Sequence, residues 1–363
     1  MKTRTKVVLG GLAAGTALAG VGGAVATVLV GRFVFNQLRR SRWLGSMLRE
    51  DDLRGQTVLV TGSSRGLGLA LAEQFASEGC KLVLCSRNEI ELSRARQRVE
   101  RLGAEVCAVT CDVSRPEQVE RLIRVARQQL GEIDILVNNA GTISVGPLSS
   151  HTREDFQEAM DTIFWGAVHP TLAVLPAMAE NRRGKIVNIT SIGGRVSLPH
   201  TLPYNCAKFA TVGFSEGLHA ELKRFGIHVL TVVPGLMRTG SHLNARFKGN
   251  PKAEYRWFAL SATNPLLSMA AERAARKIVA ATRRRQPELT LGWQAKTLAS
   301  AQAISPGLMA EALGLINRIL PRAPRGAPGS KSGREIESAV ISSVLTALGR
   351  QAALRYNQIE EAA

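Results

Sequence analysis

From residue 51 to about residue 240, short apolar runs alternate with stretches of helical periodicity. The runs lie at 57–60 (TVLV), 81–86 (KLVLCS), 104–113 (AEVCAVTCDV), 134–141 (DILVNNAG), 184–191 (GKIVNITS) and 227–235 (IHVLTVVPG). Each is almost continuously apolar, the mark of a strand buried on both faces, and the intervening segments are long enough for helical crossovers. Right-handed crossovers between parallel strands give an α/β fold, a doubly wound sheet with helices on both sides. A seventh strand is expected at 288–292 (ELTLG), making about seven in all. Ser114 with Glu117, and Thr152 with Asp155, have the spacing of capping boxes and predict helix starts. In such a sheet ligands sit beyond the carboxyl ends of the strands.

The two ends depart from this pattern. Residues 7–31 carry no charge and are long enough to cross about 30 Å of hydrocarbon as a helix, so the segment reads as an N-terminal transmembrane anchor. Its rival is a removable signal peptide cut near Ala24-Val25-Ala26. Arg32, Arg39, Arg40 and Arg42 favour keeping the following domain in the cytoplasm, although Lys2, Arg4 and Lys6 make the other flank positive too. Past residue 295 an apolar helical pattern runs over 296–320, and 321–334 (PRAPRGAPGSKSGR) reads as a flexible linker. A final helix is expected from 335 to about 358, with Ile336, Val340, Val344 and Leu348 forming an apolar stripe. Its own domain, a second subunit and the membrane surface are all open as docking partners. The organisation is therefore an anchor and basic linker (1–50), a catalytic-type domain (51–295) and a helical extension (296–363).

Charge narrows the partners. Forty-seven Lys and Arg against 29 Asp and Glu leave a net charge of +18, which favours a phosphorylated cofactor or an acidic membrane surface. No nucleic-acid module accompanies it, since aromatics are few and basic residues are not interleaved with stacking rings. No metal-ligand spacing is present, and the five cysteines form no CxxC pair, as expected of reduced, buried thiols.

The stretch 61–68 (TGSSRGLG) follows the first strand and opens a helix. Gly62, Gly66 and Gly68 let the backbone turn tightly and approach a pyrophosphate, held by free amides at the positive end of the helix. The second strand ends in Ser86-Arg87 rather than in an acid. With Arg65 inside the loop, that suits a 2′-phosphate and predicts NADP(H) over NAD(H). Asp112 can accept from an adenine amino group or cap a turn. Asn138-Asn139-Ala140-Gly141 offers amides that bridge strand backbones and leaves room for a ribose. Tyr204 and Lys208 lie one helical turn apart on one face, and a phenol of pKa about 10 needs a shift of roughly 3 units to work near neutrality.

Together these motifs resemble the short-chain dehydrogenase/reductase family: TGSSRGLG, CDV at 111–113, NNAG at 138–141, Ser191, YNCAK at 204–208 and PGLMRT at 234–239, in order and spacing, over residues 53–295. The resemblance implies a Rossmann-like domain and reversible hydride transfer between a nicotinamide and a carbonyl or hydroxyl carbon. It implies Tyr204 as general acid/base, Lys208 lowering its pKa and binding the nicotinamide ribose, and Ser191 hydrogen-bonded to the substrate oxygen. Thr239 is implied at the carboxamide, and Val233 to Leu236, including Pro234 and Gly235, along the nicotinamide. Ser64, Leu67 and Val113 join the cofactor set through the same motifs. A dimer or tetramer is common in the family.

One position departs from the family. An asparagine that holds a relay water usually stands three residues before a glycine in the helix after NNAG; here Ile163 precedes Gly166, and isoleucine cannot hydrogen-bond water. This predicts an enzyme with an impaired proton relay, or a membrane-bound NADP(H)-binding sensor or scaffold with little turnover. The irregular stretch 240–268, with Arg246-Phe247-Lys248 and Trp257-Phe258-Ala259-Leu260, predicts a cover over a lipophilic alcohol or ketone, with core packing as the competing account of its aromatics.

Overall fold

Seven parallel strands form the central sheet of the computed structural model, which describes residues 50–324, 329–340 and 351–358. They are β1 (Thr57–Thr61), β2 (Lys81–Ser86), β3 (Val106–Thr110), β4 (Ile135–Asn138), β6 (Gly184–Ile189), β7 (Ile227–Pro234) and β11 (Glu288–Leu291), arranged in the order β11-β7-β6-β4-β1-β2-β3. The chain winds outward from β1 to β3, then crosses back to β4 on the other side of β1, so the switch point lies between β1 and β4. A ligand crevice belongs there.

Period-two alternation sends side chains to both faces. Val58, Val60, Leu82, Leu84, Ile135 and Val137 pack with α1 (Gly66–Ser77), α2 (Glu89–Glu100) and α8 (Ala271–Arg283). Leu59, Val83, Cys85, Cys107, Leu136 and Ile186 point the other way, toward α3 (Pro116–Leu130) and α5 (Gly166–Glu180). Two apolar layers on one sheet explain the near-continuous hydrophobic runs. Cys80, Cys85, Cys107 and Cys111 are free, buried thiols within this core.

Between β4 and β6 the chain runs through α4 (Arg153–Ala159), a π-helical turn (Met160–Trp165) and α5. The combined run Arg153–Glu180 is long and apolar enough to cross a membrane by length and composition, but α5 packs on α3 and the sheet. Its start bears out the expected Thr152–Asp155 capping box, whose Thr152 amide donates to Asp155 Oδ2 at 2.7 Å. The Ser114–Glu117 box does not form. Pro116 takes the first helical position of α3, Arg115 caps it without a side-chain bond, and Ser114 Oγ donates instead to Asp112 Oδ1 at 2.8 Å.

Beyond the long α6 (Leu202–Leu222), the stretch expected to be irregular contains a 13-residue helix, α7 (Pro251–Thr263), started by Asn250 accepting from the Ala253 amide. Short pairings flank it: β8 (Met237–Arg238) with β10 (Met269–Ala270), and β9 (Arg246–Phe247) between β5 (Ser144–Val145) and β12 (Lys331–Ser332). After β11, α9 (Trp293–Ile304) and α10 (Pro306–Ile319) follow. The supposed linker is thus only partly one, because Lys331 and Ser332 pair antiparallel with β9 and lead into α11 (Gly333–Val340). Residues 351–355 are helical and 356–358 turn back, so the single final helix expected to 358 ends earlier. Ile336 of the predicted stripe is buried; Val344 and Leu348, like the anchor at 7–31, lie outside the described residues.

Candidate active site

The carboxyl ends of β1, β4, β6 and β7 open into a cavity of about 780 Å³. At its floor, α1 begins directly after the glycine turn. A side chain at Gly68 would place its Cβ 2.2 Å from the Gly62 carbonyl oxygen and 2.6 Å from Asn139 Nδ2, so helix and strand meet there only because position 68 has none. Gly66 adopts φ +60°, and the amides of Leu67 and Gly68 that follow it find no protein partner among the described residues. These are open donors at the positive end of a 12-residue helix. The cradle therefore fits a dinucleotide diphosphate.

Asn139 stitches the next strand to this turn, donating from Nδ2 to the carbonyls of Thr61 (2.9 Å) and Gly62 (3.2 Å). In return the Asn139 and Ala140 amides donate to Thr61 Oγ1 at 2.9 and 3.1 Å. The side-chain amide thus bridges strand backbones, and Ala140 and Gly141 are left lining the cavity.

Arg65 and Arg87 both line the cavity, but in different states. Arg87 is exposed. Arg65 is ion-paired with Glu91 at 3.0 Å, and Ser64 Oγ donates to the other carboxylate oxygen at 3.3 Å. Glu91, on α2, is a partner that sequence spacing did not single out, since only the packing of α2 on the loop brings it there. Ser64, Asp112 and Val113 lie off the cavity lining. Asp112 caps its own turn by accepting from the Ser114 amide and hydroxyl, and Val113 is buried near α5, where a Cβ on Gly166 would come within 2.8 Å of it.

On the opposite wall, α6 carries Tyr204 and Lys208 across from Ser191, at the end of β6. Ser191 lies beside the Tyr204 phenol, and its Oγ accepts from the Gly193 amide at 3.0 Å. Lys208 Nζ lies 5.7 Å from the Tyr204 ring centroid and donates to the Ile189 carbonyl at 2.7 Å. Burial holds the Tyr204 phenol above its ordinary value, with the neighbouring Ser191 hydroxyl pulling the other way. Burial also lowers Lys208 to about 8, which leaves it mostly charged at neutrality. Burial outweighs the other influences on the phenol, so the lowering expected from Lys208 does not prevail in this geometry. Pro234, Gly235, Leu236 and Thr239 line the cavity, whereas Val233 is buried inside β7.

The outer wall is apolar: Leu198, Trp257, Phe258, Leu298, Leu313 and Ile316. Trp257 is fixed by donating Nε1 to Glu254 Oε2 at 2.6 Å, while Glu254 Oε1 pairs with His200 Nδ1 at 2.8 Å. Trp257 and Phe258 line the cavity and also pack on Val145, Phe247 and Tyr255, so core packing accounts for part of their role. Ile163 is buried behind the site against Ala159, Ala207 and Tyr204. Two lining residues, Asn244 and Gln358, had no signal in the sequence.

Residues 56–248 match the family model described as short chain dehydrogenase. The ketoacyl reductase HetN of a Nostoc species is 32% identical over 195 residues, covering 53% of this chain and 68% of that protein. Among solved structures, the L-sorbose reductase of Gluconobacter frateurii in complex with NADPH and L-sorbose superposes with a TM-score of 0.59 at 28% identity, over 66% of this chain and 97% of that one. A short chain dehydrogenase/reductase of Burkholderia phymatum in complex with NAD gives 0.66 at 26% identity, over 71% and 96%. With the glycine cradle, the Ser-Tyr-Lys wall and a family model spanning more than half the chain, this protein belongs to the short-chain dehydrogenase/reductase family and is an oxidoreductase built around a nicotinamide cofactor.

Proposed function

We propose that this protein is an NADP(H)-dependent reductase or dehydrogenase that interconverts a lipophilic ketone and secondary alcohol, anchored to a membrane by residues 7–31 with the catalytic domain facing the cytoplasm. The observation that carries the reading is the convergence of Ser191, Tyr204 and Lys208 on the same cavity as the glycine cradle. Bound nicotinamide supplies or takes up the hydrogen and two electrons at the substrate carbon. Ser191 hydrogen-bonds the substrate oxygen, and Tyr204 gives that oxygen a proton in reduction or removes one in oxidation. Loss of the phenolic proton from so buried a site requires a nearby positive charge, which the Lys208 ammonium provides. Arg87 at the cavity and the absence of an acid at the end of β2 support the 2′-phosphate. The apolar outer wall supports a greasy substrate, in keeping with the ketoacyl reductase named among the relatives.

The test is turnover by full-length protein in detergent, with NADPH and NADH against a panel of acyl, sterol-like and aryl ketones. Tyr204→Phe is expected to lose about 10²- to 10⁴-fold in rate while binding the dinucleotide within about twofold of wild type, the phenolic hydroxyl being worth little to cofactor affinity. Equal rates for the two proteins would remove the enzyme reading. They would leave the second one, a dinucleotide-binding sensor or scaffold, which Ile163 favours by sealing the region behind Tyr204 with hydrocarbon.

A further inference from the structure

The last described residues return to the glycine turn. Tyr356 and Ala353 are buried at 1% and 0% exposure, and the Tyr356 carbonyl accepts from the Gly66 amide at 2.9 Å. Asn357 donates from Nδ2 to the carbonyls of Ser64 and Glu91, both at 3.0 Å, tying the turn to α2. Arg98 donates to the Arg355 carbonyl, Arg334 to the Gln358 carbonyl, and Arg355 pairs with Glu272 at 2.9 Å. This is a built joint, with backbone and side-chain contacts on both sides.

Gln358 completes it. Its side chain lines the cavity while the residue is only 4% exposed. Asn244 Nδ2 donates to Gln358 Oε1, which turns the Nε2 donors toward the start of α1. Nε2 lies 2.8 Å from where a Cβ on Gly66 would be. The segment therefore takes one helix-terminal donor, the Gly66 amide, and returns a side-chain amide beside the open donors of Leu67 and Gly68.

We infer that the C-terminal segment 351–358 is part of the dinucleotide site, with the Gln358 carboxamide donating to the cofactor diphosphate and Asn357 holding the glycine turn in its binding shape. The inference rests on the reading of this cavity as the nicotinamide dinucleotide site. It is tested by titrating full-length wild type, Gln358→Ala, Gln358→Glu and Asn357→Ala with NADPH and NADH, followed by tryptophan fluorescence and calorimetry, alongside thermal melts. Gln358→Ala is expected to bind both dinucleotides about 10- to 150-fold more weakly, as for one hydrogen bond to a charged group, with an unchanged melting temperature. Gln358→Glu is expected to bind more weakly still, because it sets a carboxylate against the phosphates. Asn357→Ala is expected to lose affinity together with some melting temperature. Wild-type affinity in both Gln358 variants would overturn the inference, and tighter binding in Gln358→Ala would overturn it in favour of an obstructing tail. If wild type itself binds neither dinucleotide, the underlying site reading falls instead.

Discussion

Burial drives Tyr204 and Lys208 toward their neutral forms, raising one and lowering the other. Because Lys208 titrates near 8, its ammonium is lost above that pH, and kcat/KM is expected to fall on an alkaline limb near pH 8. Lys208→Arg keeps the charge at higher pH, so its residual activity should lack that limb. A second buried group gives a stability prediction. His242 is lowered from 6.5 to about 4 by burial, so between these values the unfolded chain binds a proton that the folded chain refuses. Its contribution is fully present above pH 6.5 and is lost as pH falls toward 4, by about 3 kcal/mol at most. Denaturant unfolding at pH 7, 5.5 and 4 should show a shallower loss for His242→Gln; an equal loss would deny His242 this role. Gly68→Ala, with its Cβ driven into the Gly62 carbonyl, is expected to lose dinucleotide binding more than about tenfold, since backbone has nowhere to move. Gly213→Ala, with nothing within 4 Å, is the control. The glycines and the Tyr-Lys pair were legible in the sequence because their spacing alone sets their geometry. The Arg65–Glu91 pair was not, since it forms only where α2 packs against the loop.

The π-helical turn at Met160–Trp165 carries Ile163, the position at which the sequence departs from the family pattern. Such a turn widens the helix and is frequently found beside functional sites. Here it carries Ile163 inward, 2% exposed, onto Ala207 and Tyr204. Ile163→Asn places an amide in that apolar contact, at a cost of about 1–3 kcal/mol unless a water enters with it. If the relay is what limits the reaction, the variant should melt at a lower temperature and yet oxidise NADPH faster with a good ketone. A lower melting temperature with no gain in rate would count against that account. The strands were recovered closely, because a strand buried on both faces leaves an unmistakable apolar run. Helix α7 was missed within the stretch expected to be irregular; in the fold Asn250 caps and Pro251 starts the helix.

At the scale of the whole molecule, the described chain closes on itself: β12 pairs with β9, α11 follows, and residues 351–358 reach the glycine turn. Tyr356→Ala empties a buried site beside α1 and is expected to cost about 3–5 kcal/mol, read as a fall in melting temperature. The proposed anchor makes a separate prediction. Full-length chain should sediment with membranes and resist alkaline carbonate, while a chain beginning at residue 50 should be released.

Local rules sufficed for the parallel sheet, the glycine cradle and the catalytic spacing, because each depends on near neighbours: an apolar run, a turn, one helical repeat. Which cations stay unpaired, what seals the space behind Tyr204 and where the C-terminal segment lies were decided by tertiary structure. Asn357 is 293 residues from Ser64, and no periodicity extends that far. Such contacts are selected by packing and by satisfying buried polar groups, quantities that exist only once the chain has folded.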